Sequence, residues 1–316
     1  MHHGPVSPAI AKGLKVLHQR IAAAGIPSSK LDESITLATW NIREFGKKKR
    51  TEAAVHYLAE ILGLFDLISV VELRDNLGDL NRVLTILGPY WRVVYSDSIP
   101  DDGGNGERLA FVYDKRAVTF TGFAAEANPP RVKEGEEYLS EITWWRSPYM
   151  ASFRAGNFDF VVLSTHIRWG SSEASRVKEL TLLADWVEAR RAEPTFADKD
   201  MLVMGDFNIP SRKSPLFKAI TRNGTGLGIP SKLLGLTFGT DLKKVKHYDQ
   251  ILHYPTFPEN FSNAGGVLDF YAGDSEPLFP GMSKEKFTYQ MSDHLPLWIQ
   301  INTDIDGQLL DQIIKG

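Results

Sequence analysis

The sequence predicts a mixed α/β fold in which two packed β-sheets are flanked by helices. Strand-like runs rich in apolar and β-branched residues alternate along the chain with helical stretches. Several neighbouring strands are joined by connections too short for a crossover helix, so the sheets are not purely parallel. About ten such strands exceed one comfortable open sheet, which favours two sheets with the helices outside them.

The shortest clear connection is Ala155-Gly156-Asn157, which predicts a hairpin between strands at residues 149–154 and 158–166. In chain order, the predicted strands are residues 35–41, 67–72, 91–96, 109–113, 118–123, 149–154, 158–166, 201–206, 248–252 and 297–301. The predicted helices are residues 8–24, 51–64, 77–87, 172–191 and 214–222.

A single domain is predicted for residues 30–305. Residues 1–29 are interpreted as an N-terminal helix and linker outside that domain, because the helical spacing ends at Gly25 and a Pro-Ser-Ser segment follows. Residues 306–316 are interpreted as a C-terminal tail. The segment 223–247 has no clear element, so we expect a long loop there that carries part of the substrate surface.

The composition excludes several classes of protein. The formal net charge of −3 gives the whole chain no strong attraction for nucleic acid, so a polyanion-binding protein of this composition needs a local basic patch. The absence of cysteine excludes disulfides, zinc–thiolate sites and a thiol nucleophile. The apolar runs are too short to span a bilayer and no secretory signal is visible. Both a cytoplasmic location and export after processing are compatible with the sequence. We expect a monomer.

Unusual polar residues lie where predicted strands end or begin. They are Asn41, Glu72, His166, Asp206, Asn208, Asp249, Asp293 and His294. In a mixed sheet the end of one strand lies beside the start of an antiparallel neighbour, so these residues can meet at one edge of the sheet. A carboxylate at that edge can face a cleft, whereas a carboxylate in the middle of a buried strand would carry a large desolvation penalty. Each alone is also typical of a turn or a cap. Together they indicate a site whose oxygen ligands suit Mg²⁺ or Mn²⁺ and whose histidines transfer protons.

The motifs that contain these residues identify a family. They are TWNIREFG (39–46), VVELRD (70–75), GERLAFVYD (106–114), STHIRWG (164–170), MGDFN (204–208), YDQIL (248–252) and SDHLPL (292–297). In order and spacing they resemble the deoxyribonuclease I-like branch of the endonuclease/exonuclease/phosphatase superfamily, over residues 39–297. The resemblance implies a four-layer sandwich of two mixed sheets flanked by helices, with residues 30–305 as the catalytic domain.

The resemblance also implies roles for individual residues. Glu72 corresponds to the principal metal-binding carboxylate, with Asn41 beside it. His294, held by Asp249, is implied as the base that takes a proton from water. His166, with Glu107 as its carboxylate partner, is implied as the acid that protonates the leaving 3′-oxygen.

The remaining implied roles concern the phosphate. Asp206 is expected to orient the nucleophile or a second metal ion, and Asn208 to donate a hydrogen bond to the pentacovalent phosphate. Asp293 is expected to bind metal or anchor its loop. Candidate phosphate or groove contacts are Arg74, Arg43 and Arg146, and the run Lys47-Lys48-Lys49-Arg50 either attracts phosphate or is a solvated helix start.

The sequence therefore predicts a Mg²⁺-dependent endonuclease that hydrolyses DNA. Mn²⁺ is an alternative catalytic metal, and Ca²⁺ is a candidate for a separate structural ion. A phosphoesterase of the same superfamily that acts on phospholipid, inositol phosphate or another small phosphorylated substrate is the second interpretation, and a catalytically inactive scaffold is the third. Trp144, Trp145 and Trp169 add aromatic surface near the expected cleft, where they either stack on unpaired bases or cover the core.

Overall fold

The computed structural model describes residues 1–98, 106–139, 144–170, 172–196, 198–254, 258–261 and 263–315. Its strands are β1 (Ser34–Phe45), β2 (Leu67–Leu73), β3 (Trp91–Tyr95), β4 (Arg108–Asp114), β5 (Thr119–Glu126), β6 (Val132–Glu134), β7 (Glu137–Leu139), β8 (Tyr149–Ala155), β9 (Phe158–His166), β10 (Met201–Asp206), β11 (Asp249–Tyr254), β12 (Gly265–Val267) and β13 (Leu297–Asn302). Its α-helices are α1 (Pro8–Ala23), α2 (Glu52–Leu62), α3 (Gly78–Leu87), α4 (Glu173–Ala192), α5 (Pro215–Ile220), α6 (Ser231–Leu234), α7 (Lys284–Gln290) and α8 (Asp306–Lys315).

Two mixed sheets pack face to face and confirm the predicted fold class. The first has the strand order β12-β13-β1-β2-β4-β3, and the second has the order β11-β10-β9-β8-β5. β1 and β2 run parallel, as do β9 and β10, while the other neighbours run antiparallel. Ser69 of β2 and Ser164 of β9 share a buried hydrogen bond of 2.6 Å, which joins the two sheets.

The two faces of β9 show how the alternation of side chains builds the layers. Phe160 and Val162 belong to the hydrophobic cluster between the sheets. Val161 and Leu163 belong to the second cluster, where α4 covers the outer face of the sheet. Because successive side chains on a strand point to opposite faces, an apolar run such as this one is buried on both sides.

Strand register brings the polar strand ends together. In the second sheet Asp206 lies opposite His166 of the parallel strand β9 and opposite Asp249 of the antiparallel strand β11. In the first sheet Asn41 lies opposite Val71, the residue before Glu72. The edge that the sequence analysis predicted is therefore formed by both sheets, at the same end of the sandwich.

Hydroxyl caps explain where several helices begin. The side chains of Thr51, Ser172, Ser214 and Ser283 each accept a hydrogen bond from a backbone N–H in the first turn of α2, α4, α5 and α7. Within the described residues, none of the helices is long and apolar enough to cross a membrane.

The structure contains elements that the sequence analysis did not assign, although each predicted strand and helix is present. The additions are the hairpin β6–β7, the short strand β12 and the helices α6, α7 and α8. Gly135, in the turn of the hairpin, has a φ of 62°, a conformation that glycine adopts without strain. The segment interpreted as a tail therefore contains a helix, α8, whereas the segment 223–247 is mostly irregular, as expected, apart from the single turn α6.

Helix α1 packs onto the main core. Its residues Ile10, Leu14 and Leu17 are buried in the cluster that lies between the sheets and their helices. A Cβ atom at Gly13 would lie 1.7 Å from the hydroxyl oxygen of Tyr57, so any larger residue there would have to displace this tyrosine side chain. The segment 1–29 is predicted from the sequence to lie outside the domain, but the apolar face of its helix is buried by the domain. The boundary between residues 29 and 30 stays a prediction.

Because His253 on β11 is buried, we expect the protein to lose stability at acidic pH. His253 is 7% exposed and stacks on Phe261 with ring centroids 4.0 Å apart, and burial lowers its pKa from 6.5 to about 4. As the pH falls, the imidazole is protonated at about pH 6.5 in the unfolded chain but only at about pH 4 in the folded protein. The free energy of unfolding that is present above pH 6.5 therefore decreases as the pH falls towards 4. Between about pH 7 and 4.5, urea unfolding should show the wild type losing about 2 kcal/mol more than His253→Phe.

The control is the same replacement at His2, which is exposed. An equal pH dependence in the wild type and His253→Phe would contradict a neutral, buried imidazole at this position.

Candidate active site

Two imidazole rings converge on one carboxylate in a cleft of about 470 Å³. The Nε2 atom of His166 and the Nε2 atom of His294 each lie 3.8 Å from Oδ2 of Asp206. His166 and Asp206 end adjacent strands of the second sheet, whereas His294 precedes β13 of the first. Glycine at position 205 permits the close approach of β10 to β9, because a Cβ atom there would lie 2.0 Å from the carbonyl oxygen of Thr165.

A carboxylate orients each imidazole. Nδ1 of His166 lies 2.8 Å from Oε2 of Glu107, and Nδ1 of His294 lies 2.8 Å from Oδ2 of Asp249. When Nδ1 carries the proton that is donated to the carboxylate, Nε2 faces the cleft and is free to exchange a proton there. The structure thus forms both carboxylate–imidazole pairs that the resemblance implied.

Buried carboxylates raise the pKa of both histidines. Burial alone would lower the pKa of His294, but the charges of Asp249 and Asp206 and the hydrogen bond with Asp249 raise it well above 6.5. For His166, burial also acts downward, and the hydrogen bond and charge of Glu107 outweigh it, so that this pKa is raised as well. Each imidazole therefore holds a proton more tightly than a histidine in water.

Glu107 is the centre of a buried charge cluster. Burial would raise its pKa, but the hydrogen bond and charge of His166, together with the guanidinium groups of Arg146 and Arg74, lower it to about 2. Nε of Arg146 lies 2.8 Å from Oε2 of Glu107, and a terminal nitrogen of Arg74 lies 3.7 Å from Oε1. The same terminal nitrogen of Arg74 lies 3.2 Å from Oε1 of Glu44.

These contacts bear on the predicted substrate arginines. Arg74 and Arg146 line the cleft but are only 7% and 6% exposed, because Glu107 binds both. Arg43 lies half-buried, donates to the hydroxyl of Thr288 and stacks on the ring of Tyr289 with its guanidinium carbon 3.9 Å from the centroid. Their contact with substrate stays a prediction.

The basic run 47–50 divides into two parts. Lys47, Lys48 and Lys49 are exposed, and Lys47 pairs with Glu44. Arg50 is buried, donates to the carbonyl oxygen of Arg43, and has its pKa lowered to about 10 by burial. Arg50 therefore stabilises the loop after β1 and is not available to attract phosphate.

Oxygen atoms suited to a metal ion lie beside the imidazole pair. Nδ2 of Asn41 donates to Oε1 of Glu72 and to Oδ2 of Asp206, both at 3.0 Å. The amide oxygen of Asn41 is buried and has no hydrogen-bond partner among the described residues. Glu72 has a φ of 64°, a conformation that costs an L-residue free energy and is found at functional sites. Carboxylate and amide oxygens without thiolates fit a hard divalent cation.

Asn208 lies in the turn that follows Asp206. Its backbone N–H donates to Oδ1 of Asp206 at 2.8 Å, and its Nδ2 donates to the carbonyl oxygen of Ile167 at 2.7 Å. An amide nitrogen carries two protons, so one remains for a phosphate oxygen. Asp293 also lines the cleft, and its carbonyl oxygen accepts from the backbone N–H of Leu242.

Two residues of the site were missed by the sequence analysis. The hydroxyl of Thr240 donates to Oδ2 of Asp249 at 2.5 Å, and so supports the carboxylate that orients His294. The hydroxyl of Ser292 donates to the carbonyl oxygen of Asn41 at 2.6 Å and accepts from the backbone N–H of His294 at 3.0 Å. Thr240 lies in the irregular segment, where no pattern marked it; Ser292 directly precedes Asp293, which the motif SDH had marked.

A pair of oriented imidazoles beside a cluster of oxygen ligands defines a metal-dependent hydrolase of phosphoester bonds. Residues 38–294 match the model of the Endonuclease/Exonuclease/phosphatase family, and the chain belongs to this family.

Named relatives and a solved structure agree with this assignment. The chain is 27% identical over 297 residues to a deoxyribonuclease of Thioalkalivibrio sp. (strain K90mix), covering 87% of this chain and 72% of that one. It is 23% identical over 206 residues to deoxyribonuclease-1 of Bos taurus, covering 62% of this chain and 68% of that one. A mannosyl-6-phosphatase of Bacteroides thetaiotaomicron has the same fold, with a TM-score of 0.54 and 17% identity, covering 84% of this chain and 99% of that one.

Proposed function

We propose that this protein is an endonuclease that hydrolyses phosphodiester bonds of DNA with a histidine pair and Mg²⁺. The observation that carries the proposal is the placement of the two Nε2 atoms, each 3.8 Å from the same oxygen of Asp206. Hydrolysis of a diester needs one group that takes a proton from water and a second that gives a proton to the departing oxygen. Two imidazoles that face the same oxygen of Asp206, one at the end of β9 and one just before β13, supply this pair.

The proposed roles follow from the hydrogen bonds. His294 takes the proton of the attacking water at Nε2, while Asp249 stabilises the charged ring at Nδ1. His166 donates its Nε2 proton to the leaving 3′-oxygen, with Glu107 as its partner. Asn208 donates its second amide proton to the phosphate, and Asp206 orients the water between the imidazoles.

Asn41 and Glu72 would hold the divalent ion, with Asp293 as a further oxygen donor in the cleft. Such an ion supplies charge neutralisation at a non-bridging phosphate oxygen. Mg²⁺ is proposed because the donors are oxygen atoms, and Mn²⁺ is compatible with the same set. A separate structural Ca²⁺ ion stays a prediction.

The names of the relatives support DNA as the substrate, since two of them are deoxyribonucleases. A phosphoesterase that acts on phospholipid, inositol phosphate or another small phosphorylated substrate is the alternative, because the same hydrogen-bonded pairs would serve a monoester or a lipid headgroup. The mannosyl-6-phosphatase with the same fold illustrates that the fold alone does not choose between these substrates.

Nicking of supercoiled plasmid by the purified protein tests the proposal, in Mg²⁺, Mn²⁺ or EDTA. Metal-dependent conversion to open circles is expected. If plasmid and single-stranded DNA both stay intact while a lipid or sugar phosphate is hydrolysed, the alternative replaces the proposal.

The pH dependence of hydrolysis reports the base. Because His294 must lose its proton to accept one from water, the rate is expected to rise with pH through its raised pKa, so the acidic limb of the profile lies above pH 6.5. Asp249→Asn removes the charge that raises this pKa, and burial then lowers it, so the limb should move to lower pH while the maximal rate falls by roughly 10²–10⁴-fold. Rates measured from pH 5 to 9 give both limbs; an unmoved acidic limb would exclude His294 as the base.

A further inference from the structure

The tryptophans of this protein fall into two groups. The sequence has seven, and five of them are at most 8% exposed. Trp144 belongs to this buried group, where its indole N–H donates to the carbonyl oxygen of Ala127, so it covers the core. The other two, Trp145 and Trp169, are 39% and 54% exposed, and both line the active-site cleft. Exposed indoles therefore occur where substrate would bind.

An arginine supports each exposed indole. The guanidinium carbon of Arg168 lies 3.6 Å from the ring centroid of Trp145, and that of Arg176 lies 4.8 Å from the ring of Trp169. Arg176 is buried and also donates to the carbonyl oxygen of Asn208 at 2.8 Å. Each guanidinium group lies over one face of its indole, where it holds the ring in place and adds positive charge, so a base would stack on the opposite face.

Trp169 is connected to the imidazole pair. Its ring meets the ring of Tyr248 edge to face, with centroids 5.6 Å apart, and Tyr248 lies 5.7 Å from the ring of His294. A strand whose phosphate lies between His166 and His294 would therefore have a neighbouring nucleotide at the indole. Trp145 flanks the cleft next to Arg146, which binds the partner of His166.

Arg74, one of the three arginines predicted to contact phosphate or a groove, is buried. Arg74 is 7% exposed and is held by Glu44 and Glu107, so its guanidinium group does not project from the cleft. The exposed side chains that line the cleft are the two tryptophans and Arg168, whose guanidinium group lies on the ring of Trp145. In a double helix the faces of the bases are covered by their neighbours, whereas in an unpaired strand each base can stack on an indole regardless of its identity.

We propose that Trp145 and Trp169 form a stacking platform for unpaired bases, so that this cleft binds single-stranded or locally unpaired nucleic acid more tightly than a regular duplex. The platform sets substrate preference and leaves the chemistry to the histidine pair. This inference rests on the proposed nuclease function.

Binding and cleavage are measured separately to test the inference. Anisotropy of a labelled oligothymidylate and of a labelled hairpin duplex, both in EDTA, gives binding without hydrolysis. Trp169→Leu and Trp145→Leu are each expected to weaken binding of the single strand roughly tenfold and to change duplex binding by less than about twofold. Trp169→Phe, which keeps an aromatic face, should retain most of the affinity.

Tyr90→Ala is the matched control. Tyr90 is 47% exposed and carries Arg116 on its ring, with 4.6 Å between the guanidinium carbon and the centroid, but it does not line the cleft. We expect no change in binding to either substrate. An equally large effect at Tyr90 would mean that general aromatic exposure, and not the platform, governs affinity.

Cleavage with metal separates the two proposals. If the wild type cuts DNA while the leucine variants keep wild-type affinity, or lose affinity equally for duplex and single strand, the platform is refuted and the nuclease function stands. If the wild type cuts neither form of DNA, the nuclease function itself fails and the platform fails with it. Cleavage by the wild type, with selective loss of single-strand binding in the leucine variants, supports both.

Discussion

His166→Gln is expected to nick supercoiled plasmid roughly 10²–10⁴-fold more slowly than the wild type at the same metal concentration. Glutamine keeps a donor for Glu107 but cannot deliver a proton to a leaving oxygen at neutral pH. The departing 3′-oxygen then leaves as an alkoxide or takes its proton from water, which is slower. The measurement is the initial rate of open-circle formation on a gel.

The fold should survive this change, because Glu107 keeps its contact with Arg146. His18→Gln serves as the control, since His18 is exposed and lies outside the cleft. Thermal unfolding of both variants separates lost chemistry from lost structure. A His166→Gln variant that is folded and as active as the wild type would remove this residue from the reaction.

Glu72→Gln is the second change with a large expected effect. It keeps the shape of the side chain and the hydrogen-bonding capacity towards Asn41 but removes the negative charge. Since charge stabilisation by a bound ion is worth several kcal/mol, we expect the nicking rate to fall by roughly 10²–10³-fold. The Mg²⁺ concentration for half-maximal activity should rise at least about tenfold.

A titration of nicking against Mg²⁺ measures both quantities for Glu72→Gln. Asp75→Asn is the matched control, because this carboxylate lies three residues further on and is 70% exposed. An unchanged Mg²⁺ midpoint in Glu72→Gln, with a normal midpoint in the control, would assign the ion to other oxygen atoms.

The sequence was sufficient to predict most of the fold and the groups at the strand ends. Alternating apolar runs mark strands, and a polar residue such as Glu72 or His166 that ends such a run lies at the edge of a sheet, where a site can form. The pairing of His166 with Glu107, 59 residues earlier, depended on the resemblance, because no local pattern connects them.

What the sequence could not show depends on the packing of distant segments. Thr240 becomes part of the site only because the irregular segment lies against Asp249. The burial of Arg74 follows from the positions of Glu44 and Glu107 on either side of it. The division between buried Trp144 and exposed Trp145 likewise depends on which face of the loop meets the core. Helix α8 was missed although its apolar residues Leu309, Leu310, Ile313 and Ile314 recur at helical spacing, a signal that the interpretation of residues 306–316 as a tail overlooked.

The hydrogen bond between Ser69 and Ser164 has a consequence for how activity responds to changes far from substrate. Asn41 and Glu72 belong to one sheet and Asp206 and Asp249 to the other, so alignment of the reactive groups depends on how the two layers sit on each other. A displacement of 1 Å at a reacting centre is costly for a reaction that requires oriented groups. Substitutions between the two sheets, such as at Ser69 or Ser164, are therefore expected to change the rate of hydrolysis although they leave the residues that would contact metal and substrate unchanged.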